Sequence, residues 1–238
     1  MNRIFTDSPP NQDVFSIEGK DAHHLLNVLR VQKDEKIEII FNGQVYIAEI
    51  ESIQSNCLDA RIKEIDRTEY ESPLKIHLFQ SYLKSDKMDW VIQKAVELGV
   101  SEITPIFTKR TIVKLTPSKI KNKMKRFEKI IESAAKQSKR VITPTIHQAC
   151  DLEELEFNDF TILAYEEENE SISNILSKND FHKVNIILGP EGGFEKSEVN
   201  LLASKNAKSV SLGKRILRAE TATISLISIL QYLKGDLK

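Results

Sequence analysis

The sequence predicts an α/β chain in two parts: a β-rich segment over residues 1–70 and a larger segment, 74–238, of alternating strands and helices. Three observations carry this. Asn42-Gly43 lies between two β-type runs, the strongest short-range hairpin signal. The polar stretch Asp66–Pro73 (DRTEYESP) reads as a linker. Beyond it, short apolar runs alternate with segments whose apolar residues recur at helical spacing, as in successive βα units. A length of 238 residues allows one large domain or two smaller ones.

Element by element, Asp21–Leu29 predicts one short helix ahead of the hairpin. Lys36–Phe41 and Gln44–Ile50 are the hairpin strands, and Cys57–Ile65 is a third, alternating at Leu58, Ala60 and Ile62. The expected shape is a small β-barrel or sheet carrying a single helix. In the second part Leu74–Leu83 is the first strand. Met88, Val91, Ile92, Ala95 and Leu98 follow at helical spacing, with Gly99 where a helix C-cap wants it. Glu102–Phe107 is the next strand and Pro117–Lys139 a long basic helix. Thr161–Tyr165, Val184–Leu188 and Lys208–Leu212 suit buried parallel strands, while Glu195–Ser204 and Ala219–Leu233 read as helices. In such a sheet ligands belong at the C-terminal ends of the strands.

The bulk numbers exclude some classes. No apolar run reaches the ~18 residues of a membrane span, and Met1–Pro10 lacks the regions of a secretion signal. Cys57 and Cys150 are 93 positions apart with no metal-type spacing, so a reducing cytoplasm is expected, with neither disulfide framework nor metal. The net charge of −1 is uninformative, but its distribution is not. Lys109–Arg140 holds twelve Lys/Arg against Glu128 and Glu132, and Asp151–Glu170 holds nine acids and no Lys/Arg. A phosphate-facing surface and two solvated faces of opposite sign both fit.

Two loops should carry chemistry. Gly189-Pro190-Glu191-Gly192-Gly193 follows the strand ending at Leu188, and it concentrates three of the eight glycines. Such a loop lets backbone N–H groups approach a ligand, although it is neither a P-loop nor a dinucleotide turn. The second runs from Ser211 into the last helix (SLGKRILRAETA). Its Leu212, Ile216 and Leu217 either wall a flat apolar ligand or cover the sheet end as core.

These residues carry a resemblance. GPEGGFEKSEV at 189–199, SLGKRILRAETA at 211–222, QKAVELGVSEITP at 93–105, AAKQSKR at 134–140 and HLLNVLRV at 24–31 together resemble the RsmE family of 16S ribosomal RNA uridine N3-methyltransferases, in the SPOUT superfamily. The resemblance implies a trefoil-knotted methyltransferase domain over 74–238, a PUA-like RNA-binding β-barrel over 1–70, S-adenosylmethionine as cofactor and a homodimer. It implies 16S rRNA as partner, within the assembled small subunit, and methylation of N3 of a decoding-region uridine. The rivals are another SPOUT methyltransferase and an assembly factor with a dead site. One position departs from the family: Glu195 stands where Ser or Thr usually caps the helix.

By the same resemblance Leu188, Gly189, Pro190, Glu191, Gly192, Gly193, Leu212, Gly213, Ile216 and Leu217 cradle the cofactor, with the Thr161–Glu166 strand end as a third wall. For the chemistry, Glu191 is the nearest candidate base and Arg218 the candidate cation for an anion developing on the uracil; Arg218 could instead pair with Glu220 or Glu191. Arg30, Arg110, Lys136, Lys139 and Arg140 are the expected RNA contacts. One of His23 and His24 is expected to pack beside Leu25 and Leu26. Trp90 is expected in the core or an interface, and Lys94 and Glu97 as a local ion pair. The last helix offers Ile224, Leu226, Ile227, Leu230 and Leu233 to a partner or to the core.

Overall fold

Five strands make the first sheet of the computed structural model, which describes residues 1–84 and 86–238. They are β1 (Asn2–Phe5), β2 (Val14–Glu18), β3 (Lys36–Phe41), β4 (Gln44–Ile53) and β5 (Cys57–Asp66), in the order β1-β3-β4-β5-β2. Asn42 and Gly43 both take positive φ (49° and 75°), as the tight turn joining twisted antiparallel strands needs. Inward residues Phe15, Ile37, Ile39, Ile50 and Leu58 fill one core. Phe15 meets Phe41 and Tyr46 edge-on, with centroids 6.2 and 5.4 Å apart. Residues Lys139–Ile142 cluster with Met1–Tyr70 as one compact unit, and Glu71–Ser138 with Thr143–Lys238 form the other.

The short helix α1 (Gly19–His23) widens into a π-helical turn over His24–Leu29 that ends at Arg30 in left-handed backbone. Ala22 and Leu25, three apart, form its buried stripe. His23 and His24 fall off that stripe and both are exposed, against the expectation that one of them packs inward.

At the end of β5, hydrogen bonds from the Thr68 hydroxyl and the Tyr70 phenol, then from the Thr68 N–H, hold the Asp66 carboxyl down at about 2. A depressed folded pKa stabilises above the unfolded value and is lost as pH falls through the folded one. Acid titration should therefore show a stability loss between about pH 4 and pH 2 that Asp66→Asn diminishes. Urea midpoints measured across that range check it; equal pH slopes in both proteins would refute it.

The second unit alternates strands and helices: β6 (Lys75–Ser81), α2 (Asp86–Glu97), β7 (Glu102–Phe107), α3 (Pro117–Gln137), β8 (Thr145–Ile146), β9 (Cys150–Asp151), β10 (Phe160–Ala164), α4 (Ile172–Lys178), β11 (Lys183–Leu188), α5 (Lys196–Ser204), β12 (Lys208–Val210) and α6 (Ala219–Lys234). Its sheet runs β12-β10-β11-β6-β7-β8, with β9 beside β7, and every pairing is parallel. Residues 184–188 of β11 are all buried, which is why its sequence is a continuous apolar run. Gly99 (φ 84°) ends α2, and a Cβ there would meet the Gln231 amide at 2.7 Å. That amide donates to the Leu98 carbonyl at 2.9 Å, and its oxygen accepts from Ser72 at 2.7 Å. Thr223 donates to Gln80 at 2.6 Å, so buried polar bonds hold α6 at both ends.

Within α6, Leu226, Ile227 and Leu230 are intrachain core, while Leu233 and Tyr232 are exposed. Trp90 is 44% exposed, which takes it out of the core. Lys94 reaches both oxygens of Glu97 at 2.8 Å, the local ion pair its spacing suggests. In β6, burial pulls the His77 imidazole down to about 4, against the opposing pull of the Glu102 carboxylate. Among the described residues, no helix is long and apolar enough to cross a membrane.

Candidate active site

The cleft lies where the parallel strands β10 and β11 end. After Leu188 the chain enters the glycine loop, closed by the Gly193 N–H donating to the Pro190 carbonyl at 3.0 Å. Gly193 sits at φ 67°, and a Cβ on it would run into the Glu166 carboxylate. Only a glycine allows this backbone so close to the loop that follows β10.

The loop is braced from the segment after β7. Arg110 donates to the Gly192 carbonyl at 3.0 Å. Glu198, 2% exposed, accepts from the N–H groups of Glu195 and Lys109, each at 2.8 Å. The first of these is the return half of a capping box, so the helix start keeps an N-terminal bond without a Ser or Thr. Lys109 also faces Glu195 at 3.5 Å, giving that position a second function as a charge partner.

The opposite wall is the loop between β12 and α6. The Ser211 N–H donates to the Glu170 carbonyl at 2.8 Å, and the Ser211 hydroxyl accepts from the Gly213 N–H at 3.3 Å. Ile216 is 88% exposed, so it covers no sheet end; Leu212 and Leu217 are half-buried. Together the two loops bound an open cleft of about 260 Å³, just under the usual range for small-molecule sites. Leu188, Gly189, Pro190, Glu191 and Gly193 line one side, and Ile216, Leu217 and Arg218 the other. Leu212 and Gly213 line a smaller adjoining cleft of about 70 Å³, which shares Ala164, Glu166, Leu217 and Ala222 with the first. Gly192 lies behind, holding Arg110.

Charge in the cleft is organised by Lys87, which the sequence reading missed. Its ammonium lies 3.2 Å from Glu220 and 3.9 Å from Glu191. Burial opposes ionisation of Glu220, but its own backbone N–H and Lys87 overcome this and hold its carboxyl below the usual value. Glu191 also accepts from the Lys84 N–H at 3.2 Å. Arg218 precedes the first residue of α6 in extended backbone (φ −66°, ψ 152°) and lines the cleft; Glu220 is bridged by Lys87 and also feels the Arg218 charge. A signal for Lys87 exists: a cation in the first turn of α2 opposes the helix dipole unless an acid faces it. Tyr165, beside the smaller cleft, donates to Glu167 at 2.7 Å, and that bond first, then burial, pushes its phenol up to about 12.

The expected RNA contacts do not form one set. Arg30 and Lys139 are exposed, both in left-handed backbone (φ 54° and 60°). Arg110 is exposed but engaged with Gly192, and Lys136 is half-buried beside Glu132 at 2.8 Å. Arg140 is 5% exposed: α3 ends at Gln137, and the left-handed turn at Lys139 precedes a side chain that lies inward. Its backbone carbonyl accepts from Arg3 at 3.3 Å.

A family model for the RNA methyltransferase domain matches residues 70–231, and one for the RNA methyltransferase PUA domain matches 17–67. Ribosomal RNA small subunit methyltransferase E from Bacillus subtilis is 32% identical over 99% of this chain and 100% of its own length. The structure of the enzyme of that name from Neisseria gonorrhoeae, bound to S-adenosyl methionine, superposes with a TM-score of 0.89 at 29% identity, covering both chains fully. A methyltransferase from Legionella pneumophila, in complex with the same cofactor, gives 0.86 at 32% identity over 99% of this chain and 98% of that one. An RNA methyltransferase domain and a PUA-type domain in one chain are the two domain types the motifs implied. The chain belongs to the RNA methyltransferase family of the ribosomal RNA small subunit methyltransferase E proteins.

Proposed function

We propose that the protein methylates N3 of a uridine in 16S ribosomal RNA, the decoding-region uridine of the small subunit, using S-adenosylmethionine. The observation that carries this is the cleft at the ends of β10 and β11, formed by the motif loops 189–193 and 211–218. Its residues fit such a group. Gly193 lets the loop backbone lie directly against Glu166; Leu188, Ile216, Leu217 and Ala222 offer apolar surface to a purine, and Glu166 and Glu191 offer negative charge to a cationic donor. Bound there, the donor supplies an electrophilic methyl group.

The chain's own contribution is to hold the uracil and its charge. N3 carries a weakly acidic proton that a base pair normally occupies, so the base must leave its stack. An ordinary carboxylate near pKa ~4.3 is a poor base for it. Glu191 is moreover held by the Lys84 N–H and faces Lys87, so its role is to orient that lysine and line the wall. Arg218 is the residue placed to stabilise negative charge spread over the uracil oxygens once the N3 proton has passed to solvent water.

Incubation with unmodified small subunits and S-adenosylmethionine, followed by nucleoside mass spectrometry, should yield N3-methyluridine. A different methylated nucleoside would move the specificity, and no methylation of naked or assembled RNA would refute the reading. The assembled subunit as substrate, a homodimer using the exposed Tyr232 and Leu233 of α6, and a cytoplasmic location belong to this proposal. For RNA binding it rests on Arg30 and Lys139. Changing both to Ala should weaken binding across sequences and lower the salt slope by about one for each phosphate no longer neutralised. An unchanged slope would exclude them.

A further inference from the structure

Away from the cleft, the fold gathers three side chains that no sequence spacing connects. His77 is the third residue of β6, Glu102 opens β7 directly beside it in register, and His147 follows β8 on the other side of β7. One ligand atom from each lies within 4.8 Å of the other two. We propose that His77, Glu102 and His147 bind a borderline divalent cation, Zn2+ by preference, in the N-terminal half of the sheet, at the opposite end of the strands from the cofactor cleft.

Geometry supports this. His147 Nε2 is 2.7 Å from Glu102 Oε2, and His77 Nδ1 is 3.9 Å from the same oxygen. A tetrahedral ion with bonds of about 2.0–2.1 Å needs ligand atoms about 3.3 Å apart, between those two values. Small rotations of His147 and Glu102, both partly exposed, meet that requirement. His77 is already set. Its Nε2 lies 2.7 Å from the Thr104 hydroxyl, and its ring stacks on Phe79 with centroids 4.0 Å apart. With the Nε2 proton donated to Thr104, the Nδ1 lone pair faces Glu102. This is the outer hydrogen bond that fixes tautomer and ring plane in histidine metal sites. Two imidazoles and one carboxylate suit zinc and its neighbours, and an open position remains for water. Asp159 adds a second negative charge near His77.

The site goes beyond the methyltransferase reading, and its test reads metal alone. The full chain, stripped with chelator, is titrated with Zn2+ by calorimetry, and Co2+ is added in parallel to read its visible absorption. The expected result is one equivalent bound, with a tetrahedral Co2+ spectrum. His147→Ala and Glu102→Gln should each weaken binding at least ~10-fold, and Thr104→Val about 10–100-fold through the His77 ring. The double change His23→Ala/His24→Ala removes the exposed histidine pair and should leave binding intact. No stoichiometric uptake by the parent protein would overturn the proposal. So would uptake that survives His147→Ala.

Discussion

Arg218→Ala is expected to lower kcat for uridine methylation by about 10²–10³ while leaving S-adenosylmethionine affinity within a few-fold, the scale of removing one preorganised charge donor. The case for it starts from where Arg218 stands. It stands immediately before α6, lines the cleft and is exposed. The carboxylate two residues on is bridged by Lys87 at 3.2 Å. A guanidinium there adds to the positive end of the α6 dipole, so an anion forming on the uracil meets both. Arg218→Lys should recover part of the rate, because it keeps charge but loses the planar fork. Single-turnover rates at saturating RNA, with cofactor affinity measured separately, check this. Full turnover by the Ala variant would remove Arg218 from the chemistry.

How much of this was legible in the sequence depended on the range of the interactions. The Asn42-Gly43 hairpin and the buried run of β11 were readable because turn chemistry and strand burial act locally. β1 was not: it pairs in parallel with β3, more than thirty positions away, and carries no turn signal of its own. α4 was missed because it is short and buries only Leu176. The motif loops were legible as segments, but their meeting is a property of the β12-β10-β11 order. Lys87 stayed hidden for that reason, since its acid partners lie 104 and 133 positions away. The burial of Arg140 was hidden in the opposite sense. Its place in a basic run suggested solvent, and only the turn after α3 shows the side chain buried. The same limit hid His77, Glu102 and His147, which adjacent parallel strands bring together without any regular spacing.

Gly193→Ala is expected to weaken S-adenosylmethionine binding by at least ~10-fold while the protein stays folded. Two costs act on this methyl group. At φ 67° a Cβ costs roughly 1–2 kcal/mol by its clash with the following carbonyl. The methyl also lands on the Glu166 carboxylate, so either the loop or Glu166 must move. Glu166 borders both the main cleft and its smaller neighbour, and displacing it reshapes the wall they share. Gly43→Ala separates the two costs. Gly43 has a similar φ of 75°, but nothing lies within 4 Å of the added Cβ. It should lose comparable stability in urea and bind the cofactor as the parent does. Calorimetric titration of both variants decides the matter. Parent-like affinity in Gly193→Ala would mean that the close approach of the 189–193 backbone to Glu166 is a matter of folding alone, and the cofactor would have to be held from the 211–218 side.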